Sequence, residues 1–433
     1  MNKPVNLNDI KKIYMVGIKG TGMASLGVNL KNMGIKVSGS DSPEVFFTDQ
    51  LLRRHGIKVF SPFNKDNIPA DVDLVVASTA YNNKNSEFKE VEMRGIPLMT
   101  YPEVIGLLSR EMKSVAVCGS HGKTTTSALL AYILSKSKMG VLPNVGSIVP
   151  QLVNYKMKGR PGVFMYEADE YQNKLKLYSA DVVILTNVDY DHPDFFKTEK
   201  EYKKVFRDFI KRIPVGGLLI YCAGDKEAVR IAKYAKCRKI GYDTKESQEY
   251  PAQLIGAHNR LNLSAAIVCA REFGVLHGII KKAVVDFRGV KRRLEIIKKT
   301  RLNGNECLLI DDYGHHPAEI KATISAIKEA YPKKMLWTVF QPHTFSRTEA
   351  LFDDFTKCFS GSDKTVILDI YASARENRGT IHSRDLVNKI NSSGVAYQPG
   401  IKEVARFLKQ KIKTPSIIMT IGASNVWRLH ELL

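Results

Sequence analysis

The most constraining stretch of this chain is Gly119-Ser120-His121-Gly122-Lys123-Thr124-Thr125-Thr126, which follows the apolar run Val115-Ala116-Val117 and precedes Leu129, Leu130, Ile133 and Leu134 at helical spacing. A strand that feeds a glycine turn opening a helix is a phosphate cradle. The glycines let backbone N–H groups approach an anion, the helix N-terminus adds its own, the lysine adds charge, and a threonine hydroxyl can ligate magnesium. The loop is compressed: the first glycine of a full Walker pattern would fall on Val117, so only Gly-x-x-Gly-Lys-Thr remains.

Apolar strands and helical lengths alternate on both sides of this loop. They predict an α/β protein of three successive units: a Rossmann-like domain over 1–106, a central P-loop ATPase-like domain with a mostly parallel sheet over 107–296, and a second Rossmann-like α/β domain over 297–433. In the first, Ile13 to Val16 leads to the turn Gly17-Ile18-Lys19-Gly20-Thr21-Gly22-Met23 and a helix through Leu26 and Leu30. Asp41 follows the next strand, Lys36 to Ser38, where a ribose hydroxyl could be held. Tyr101 to Met112 reads as a connector. Central strands are expected at Val163 to Tyr166, Val182 to Leu185 and Leu218 to Tyr221, and later ones at Cys307 to Ile310, Leu336 to Phe340, Val366 to Ile370 and Ile417 to Ile421.

Polar residues gather where these strands end, which is where open α/β sheets bind ligands. Glu167-Ala168-Asp169-Glu170 and Thr186-Asn187-Val188-Asp189-Tyr190-Asp191-His192 supply carboxylates and an imidazole suited to magnesium-nucleotide chemistry. Further on come His258-Asn259-Arg260-Leu261-Asn262, then Arg292-Arg293-Leu294-Glu295, then Asp311-Asp312-Tyr313-Gly314-His315-His316-Pro317 and the run from Gln341 to Thr348. Pro317 suits the first turn of a helix carrying Ile320, Ile324 and Ile327. Histidines 121, 192, 258, 315, 316 and 343, six of the ten, stand in these clusters.

The bulk composition narrows the class. A net charge of +21 raises the question of a polyanionic partner, but the lysines come in short pieces such as Lys200 to Lys204 and Lys409 to Lys413, a solvated surface rather than a nucleic-acid footprint. The six cysteines form no C-x-x-C pair, which argues against a zinc site or disulfide framework. No apolar run approaches the ~20 residues that span a bilayer. With no apolar signal core after Met1, the chain is expected in the cytoplasm, with no nucleic-acid partner and no membrane insertion.

Taken in order, GIKGTGM at Gly17, GSHGKTTT at Gly119, EADE at Glu167, TNVDYDHPDFF at Thr186, HNRLN at His258, RRLE at Arg292, DDYGHHP at Asp311, QPHTFSRT at Gln341 and YASARE at Tyr371 resemble the Mur ligases of peptidoglycan synthesis. The resemblance spans nearly the whole chain and is closest to the branch that adds L-alanine to UDP-N-acetylmuramate. It implies ATP and Mg2+, an acyl-phosphate intermediate, and a monomer or weak homodimer. By resemblance, Gly119 to Thr125 would cradle ATP, with Lys123 on the γ-phosphate. Thr124 and Glu167 would hold one magnesium ion and His192 a second. Asn259 would contact adenine, Arg293 the phosphates and Asp312 the ribose. Tyr313, His315 and Arg347 would orient the carboxylate and the amino acid, and Gly17, Gly20, Thr21, Gly22, Met23 and Asp41 would serve the UDP-sugar.

The resemblance also marks departures. Phe206 stands where several related ligases carry a carbamoylated lysine, Thr344 where some alanine-adding enzymes have arginine, and the segment between Gly241 and Gly256 is short. The branch that attaches a preformed tripeptide typically has a bulky residue at the position of Gly22 and lacks QPHTFSRT.

Overall fold

A computed structural model describes residues 5–157, 161–372, 379–390 and 392–433. Three sheets succeed one another along the chain. The first contains β1 (Lys12–Val16), β2 (Lys36–Ser40), β3 (Lys58–Phe60), β4 (Leu74–Ala77) and β5 (Leu98–Thr100), in the order β3-β2-β1-β4-β5, with every pair parallel. The second contains β6 (Ser114–Cys118), β7 (Val141–Asn144), β8 (Val163–Glu167), β9 (Val182–Leu185), β10 (Leu218–Cys222) and β11 (Arg238–Tyr242), in the order β11-β10-β9-β6-β8-β7, again parallel throughout. Its central strands are wholly buried, as expected of a parallel sheet covered by helices on both faces.

The third sheet is mixed. It contains β12 (Glu295–Leu302), β13 (Asn305–Asp312), β14 (Met335–Phe340), β15 (Lys364–Ile367), β16 (Val395–Tyr397) and β17 (Ser416–Ile421), ordered β12-β13-β17-β14-β15-β16. β12 runs antiparallel to β13, and the other pairs are parallel. The region expected to start at residue 297 thus begins two residues inside this strand. β15 also ends at Ile367, earlier than the Ile370 expected from its apolar run.

The stretch read as a connector, 101 to 112, is instead the helix Tyr101–Glu111. Glu103 accepts from the Thr100 backbone N–H at 2.7 Å, the reciprocal half of a capping box, and Pro102 stands in the first turn. This helix carries Tyr101 between the first two sheets, where its hydroxyl accepts from Asn144 Nδ2 at 2.6 Å. The shortened segment after β11 holds one helical turn, Lys245–Gln248, before the long helix Ala257–Glu272.

All six cysteines are buried and unpaired. No helix among the described residues is long and apolar enough to cross a membrane. Of YASARE, residues 373–376 lie outside the described residues.

Candidate active site

In the second sheet β6 lies between β8 and β9. Three loops separated by long stretches of chain therefore leave neighbouring strand ends: the phosphate loop after β6, the Glu167 cluster after β8, and Thr186 to His192 after β9. The third sheet repeats the arrangement, since β17 lies between β13 and β14 and brings the loops after Asp312 and Phe340 together.

The phosphate loop is pinned from behind. Ser120 N donates to Asn187 O at 3.0 Å, His121 N to Asn187 Oδ1 at 2.9 Å, and Thr186 Oγ1 to His121 O at 2.7 Å. Gly119 (φ +132°) and Gly122 (φ +81°) have no room for a side chain, because a Cβ there would lie 2.1 Å from Thr186 Oγ1 and 2.3 Å from Asn262 Oδ1 respectively. The helix Lys123–Ser135 starts after Gly122 without a capping side chain, which leaves its first N–H groups for an anion.

Lys123 folds back onto the loop. Its Nζ donates to Gly119 O, to Ser120 O at 3.1 Å and to Glu170 Oε2 at 2.9 Å. Burial alone would lower its pKa, but Glu170 and Asp169 outweigh burial and raise it, so the ammonium persists. Glu170, 1% exposed, also accepts from the Tyr202 hydroxyl at 3.0 Å, and Tyr202 reaches Ser120 Oγ at 2.7 Å. Burial pushes the Tyr202 phenol well above its usual range, so it stays protonated. Phe206, one turn along the same helix, is fully buried against Tyr202.

The three residues expected to hold metal fall into two adjoining groups. Thr124 Oγ1 donates to Glu167 Oε2 at 3.0 Å, and Gly146 N donates to Glu167 Oε1. Burial raises the Glu167 carboxyl despite the opposing pull of Gly146, Arg293, Thr124 and Lys123. His192 stands with Asp169 and Glu170, whose ligand atoms and its own all lie within 4.8 Å of one another. Its φ of +58° is unusual for a residue with a side chain and is backbone strain of the kind found at working sites. Hard carboxylate and hydroxyl oxygens beside a phosphate loop suit magnesium, and both groups fit that ion.

A cavity of about 330 Å³ opens beside the loop, lined by His121, Gly122 and Thr125 from the loop and helix, Asn259 from Ala257–Glu272, and Arg293, Asp312 and Glu319 from beyond. Asn259 Nδ2 donates to Ile255 O at 2.9 Å. Asp312 accepts from Leu294 N at 2.8 Å and Gly314 N at 2.7 Å, and burial raises its carboxyl against the Arg293 charge. Arg293 lies across the Tyr313 ring, 5.2 Å from its centroid, and reaches back to Thr124 Oγ1 at 3.3 Å.

Side chains from the loops and helices that follow β13 and β14 close over the second sheet. Arg347 Nε donates to Asp191 Oδ1 at 3.0 Å, both residues being buried, and Asp191 also accepts from His192 N at 2.6 Å. Burial would raise the Asp191 carboxyl, but Arg347 holds it well below its usual range. His121 sits between Asp189 Oδ2 at 3.4 Å and Glu319 Oε1 at 3.5 Å, and its ring lies tilted against His316 with centroids 4.8 Å apart. Burial opposes its charge, yet the two carboxylates carry its pKa to about 10. His315 is the reverse case: burial and then the Arg347 charge push it down to about 3, so its imidazole is neutral. Thr344 caps the helix Phe345–Ala350 by accepting from Arg347 N at 3.4 Å, which gives threonine a purpose at that position.

The first-domain turn is occupied by its own protein. Gly17 (φ +80°) lies under the Tyr81 ring, and a Cβ on Gly22 would come 2.8 Å from the Tyr101 hydroxyl. Gly20 precedes the helix Thr21–Asn32, Met23 is buried, and Thr21 lines a small cavity against β7. Asp41, 1% exposed, accepts from Lys19 N at 2.7 Å and from Tyr81 Oη at 2.8 Å, so its carboxylate braces the turn.

Several supporting residues escaped the sequence reading. Glu170 and Asp191 stood inside clusters of which only neighbours received roles. Asn262 packs on Gly122, and Tyr202 offered no motif. Glu319 was signalled: His316-Pro317-Ala318-Glu319 has capping-box spacing, and Glu319 Oε2 accepts from His316 N at 3.3 Å.

Comparison with known proteins agrees along the whole length. Three family models match in succession: the Mur ligase family catalytic domain over residues 12–113, the Mur ligase middle domain over 117–253, and the Mur ligase glutamate ligase domain over 292–424. The UDP-N-acetylmuramate–L-alanine ligase of Desulfitobacterium hafniense is 33% identical, with 97% of this chain and 99% of that one covered. The one from Ligilactobacillus salivarius is 37% identical over 90% of each. Among solved structures, the UDP-N-acetylmuramate–alanine ligase of Thermotoga maritima has the same fold, with a TM-score of 0.76, 24% identity and coverage of 97% and 98%. The chain belongs to the Mur ligase family.

Proposed function

We propose that this protein is an ATP-dependent ligase that joins L-alanine to the carboxylate of UDP-N-acetylmuramate, a cytoplasmic step in making peptidoglycan precursors. Its relatives carry that name over nearly its full length. The observation that carries the reading is convergence: Arg347 and Glu319 from helices of the third domain meet Asp191 and His121 at the phosphate loop.

A carboxylate resists attack by an amine until one oxygen is converted into a leaving group. In the proposed sequence that oxygen attacks the γ-phosphorus of ATP, and the bond to ADP breaks. The amine of L-alanine then attacks the acyl carbon, phosphate departs with the carboxylate oxygen, and the amine loses a proton. Two anions must approach each other, so charge cancellation is the main task.

Lys123 is poised to exchange the loop carbonyls for the γ-phosphate, and the helix N-terminus takes the remaining oxygens. Arg293, held over Tyr313, covers the phosphates, while Asn259 and Asp312 serve adenine and ribose. Magnesium, when bound, neutralises phosphate charge, with Thr124 and Glu167 as ligands for one ion and His192 for a second. Arg347, aimed by Asp191, and neutral His315 orient the amino acid and the carboxylate. Gly17 to Met23 serves the UDP-sugar; Tyr101 and Asn144 link this turn to the strand preceding Gly146, which donates to Glu167.

Phosphate release from ATP, measured with UDP-N-acetylmuramate and single amino acids, tests the reading. Release requiring both the UDP-sugar and L-alanine is expected. Release that needs neither, or that needs a tripeptide in place of the amino acid, overturns it. The placement of Gly22 against Tyr101 supports the amino acid, since a bulky residue there has no room.

A further inference from the structure

Tyr202 lies in the helix Glu199–Ile210 with none of its surface exposed. Its ring is set edge-on against Tyr190, Phe196 and Phe206, with centroids 6.0, 5.2 and 5.2 Å away. Phenylalanine would serve that packing equally well, as Phe206 does one turn further on. The hydroxyl is therefore a feature the core does not require.

It has two partners, Ser120 Oγ at 2.7 Å and Glu170 Oε1 at 3.0 Å. Proton accounting gives the direction of each bond. An ionised carboxylate only accepts, so Tyr202 donates to Glu170. Ser120 accepts from Asp189 N at 2.8 Å and directs its own proton to Tyr202 Oη or to Asp189 O, each at 2.7 Å. The other oxygen of Glu170 takes Lys123 Nζ at 2.9 Å. One phenol thus joins the second residue of the phosphate loop to the carboxylate holding the loop lysine.

We propose that Tyr202 is a positioning residue for phosphoryl transfer, acting through Glu170 and Ser120 to fix where Lys123 and the phosphate loop stand before nucleotide arrives. The proposal rests on the ligase reading above for its kinetic consequence. Its structural consequence is visible without any substrate.

The test is a cycle of Tyr202→Phe, Glu170→Gln and the double variant in the full-length protein. With both substrates and ATP present, Tyr202→Phe is expected to lower kcat about 10-fold with KM for ATP within about twofold, and Glu170→Gln about 100-fold. Because the hydroxyl works in part through the carboxylate, the double variant should fall clearly short of the product of the two single penalties. In nucleotide-free protein, hydrogen exchange of a peptide spanning the phosphate loop should rise several-fold in Tyr202→Phe, with exchange across the aromatic cluster unchanged and the thermal midpoint lowered by only a few degrees.

Penalties that multiply to about 1,000-fold in the double variant would overturn the proposal. So would unchanged loop exchange, or faster exchange throughout the aromatic cluster. If the unmodified protein releases no phosphate with these substrates, the ligase reading fails, and loop exchange still decides the positioning role.

Discussion

Two glycine turns of this molecule share one backbone plan and diverge in what surrounds them. Each follows the first strand of a parallel sheet, opens a helix, and carries a lysine that bends back onto main-chain carbonyls. In the first domain Lys19 Nζ donates to Ser42 O at 2.9 Å and Glu44 O at 2.8 Å, with Asp49 at 3.8 Å. In the second, Lys123 Nζ meets Ser120 O and Gly119 O in its own loop and the Glu170 carboxylate. Lys19 therefore ties down a neighbouring loop, whereas Lys123 rests on the loop that must receive an anion. The glycine pattern specifies a close approach, and the residues reached from other strands decide whether protein or ligand makes it.

Exchanging the lysines should separate the two turns most sharply. Lys123→Ala is expected to reduce phosphate release by about a thousandfold or more while leaving UDP-sugar binding intact, because it removes charge from the transferring phosphoryl group. Lys19→Ala should instead destabilise the first domain by about 2 kcal/mol and raise KM for the UDP-sugar, with kcat nearly unchanged. Steady-state kinetics, calorimetric binding and thermal unfolding of both variants check this; loss of UDP-sugar binding in Lys123→Ala would break the comparison.

The glycines give a second contrast. Gly122→Ala combines an unfavourable positive φ with a clash against Asn262, and should lower kcat about 100-fold through misplacement of the loop. Gly22→Ala meets only the tip of Tyr101, so its effect is expected on KM for the UDP-sugar, by several-fold.

pH sharpens the comparison further. The folded pKa of His121, about 10, is raised above the unfolded value of 6.5, so the folded protein binds the extra proton between these limits. Its contribution to stability is complete below pH 6.5 and is lost as pH rises toward 10. His121→Asn should flatten that alkaline decline, which denaturant titration at several pH values would measure. At the other turn, Tyr81→Phe removes one of the hydrogen bonds to Asp41 and should cost about 1 kcal/mol, with no change in kcat.

The legible part of this molecule was its centre. Strands such as Val182–Leu185 and Leu218–Cys222 are continuous apolar runs because both faces are buried, and they were read almost to the residue. The six edge strands were not read. β7 contains Pro143, tolerable only where no ladder partner waits on one side, and β12 is rich in lysine and arginine, as an exposed edge demands. β4 is the exception, a central strand of only four residues.

At the site, the residues offered to ligands stood in strand-end motifs. Of those that hold them, Tyr202 lay elsewhere, on an amphipathic helix whose pattern explains it as core, while Glu170, Asp191 and Asn262 stood inside motifs in which only their neighbours received roles. Spacing along a chain cannot display a hydroxyl that matters because two other strands bring their loops to it. The resemblance also gave Asp41 to the UDP-sugar, while in the structure its carboxylate is engaged with Lys19 and Tyr81.

The central claim is that the two anions meet and an oxygen passes from one to the other. UDP-N-acetylmuramate labelled with 18O in its carboxylate, turned over with ATP and L-alanine, tests it by mass spectrometry of the released phosphate. One 18O atom per phosphate, with one retained in the amide product, is the predicted result. Phosphate free of label would contradict the account, because it would mean that the carboxylate was never phosphorylated.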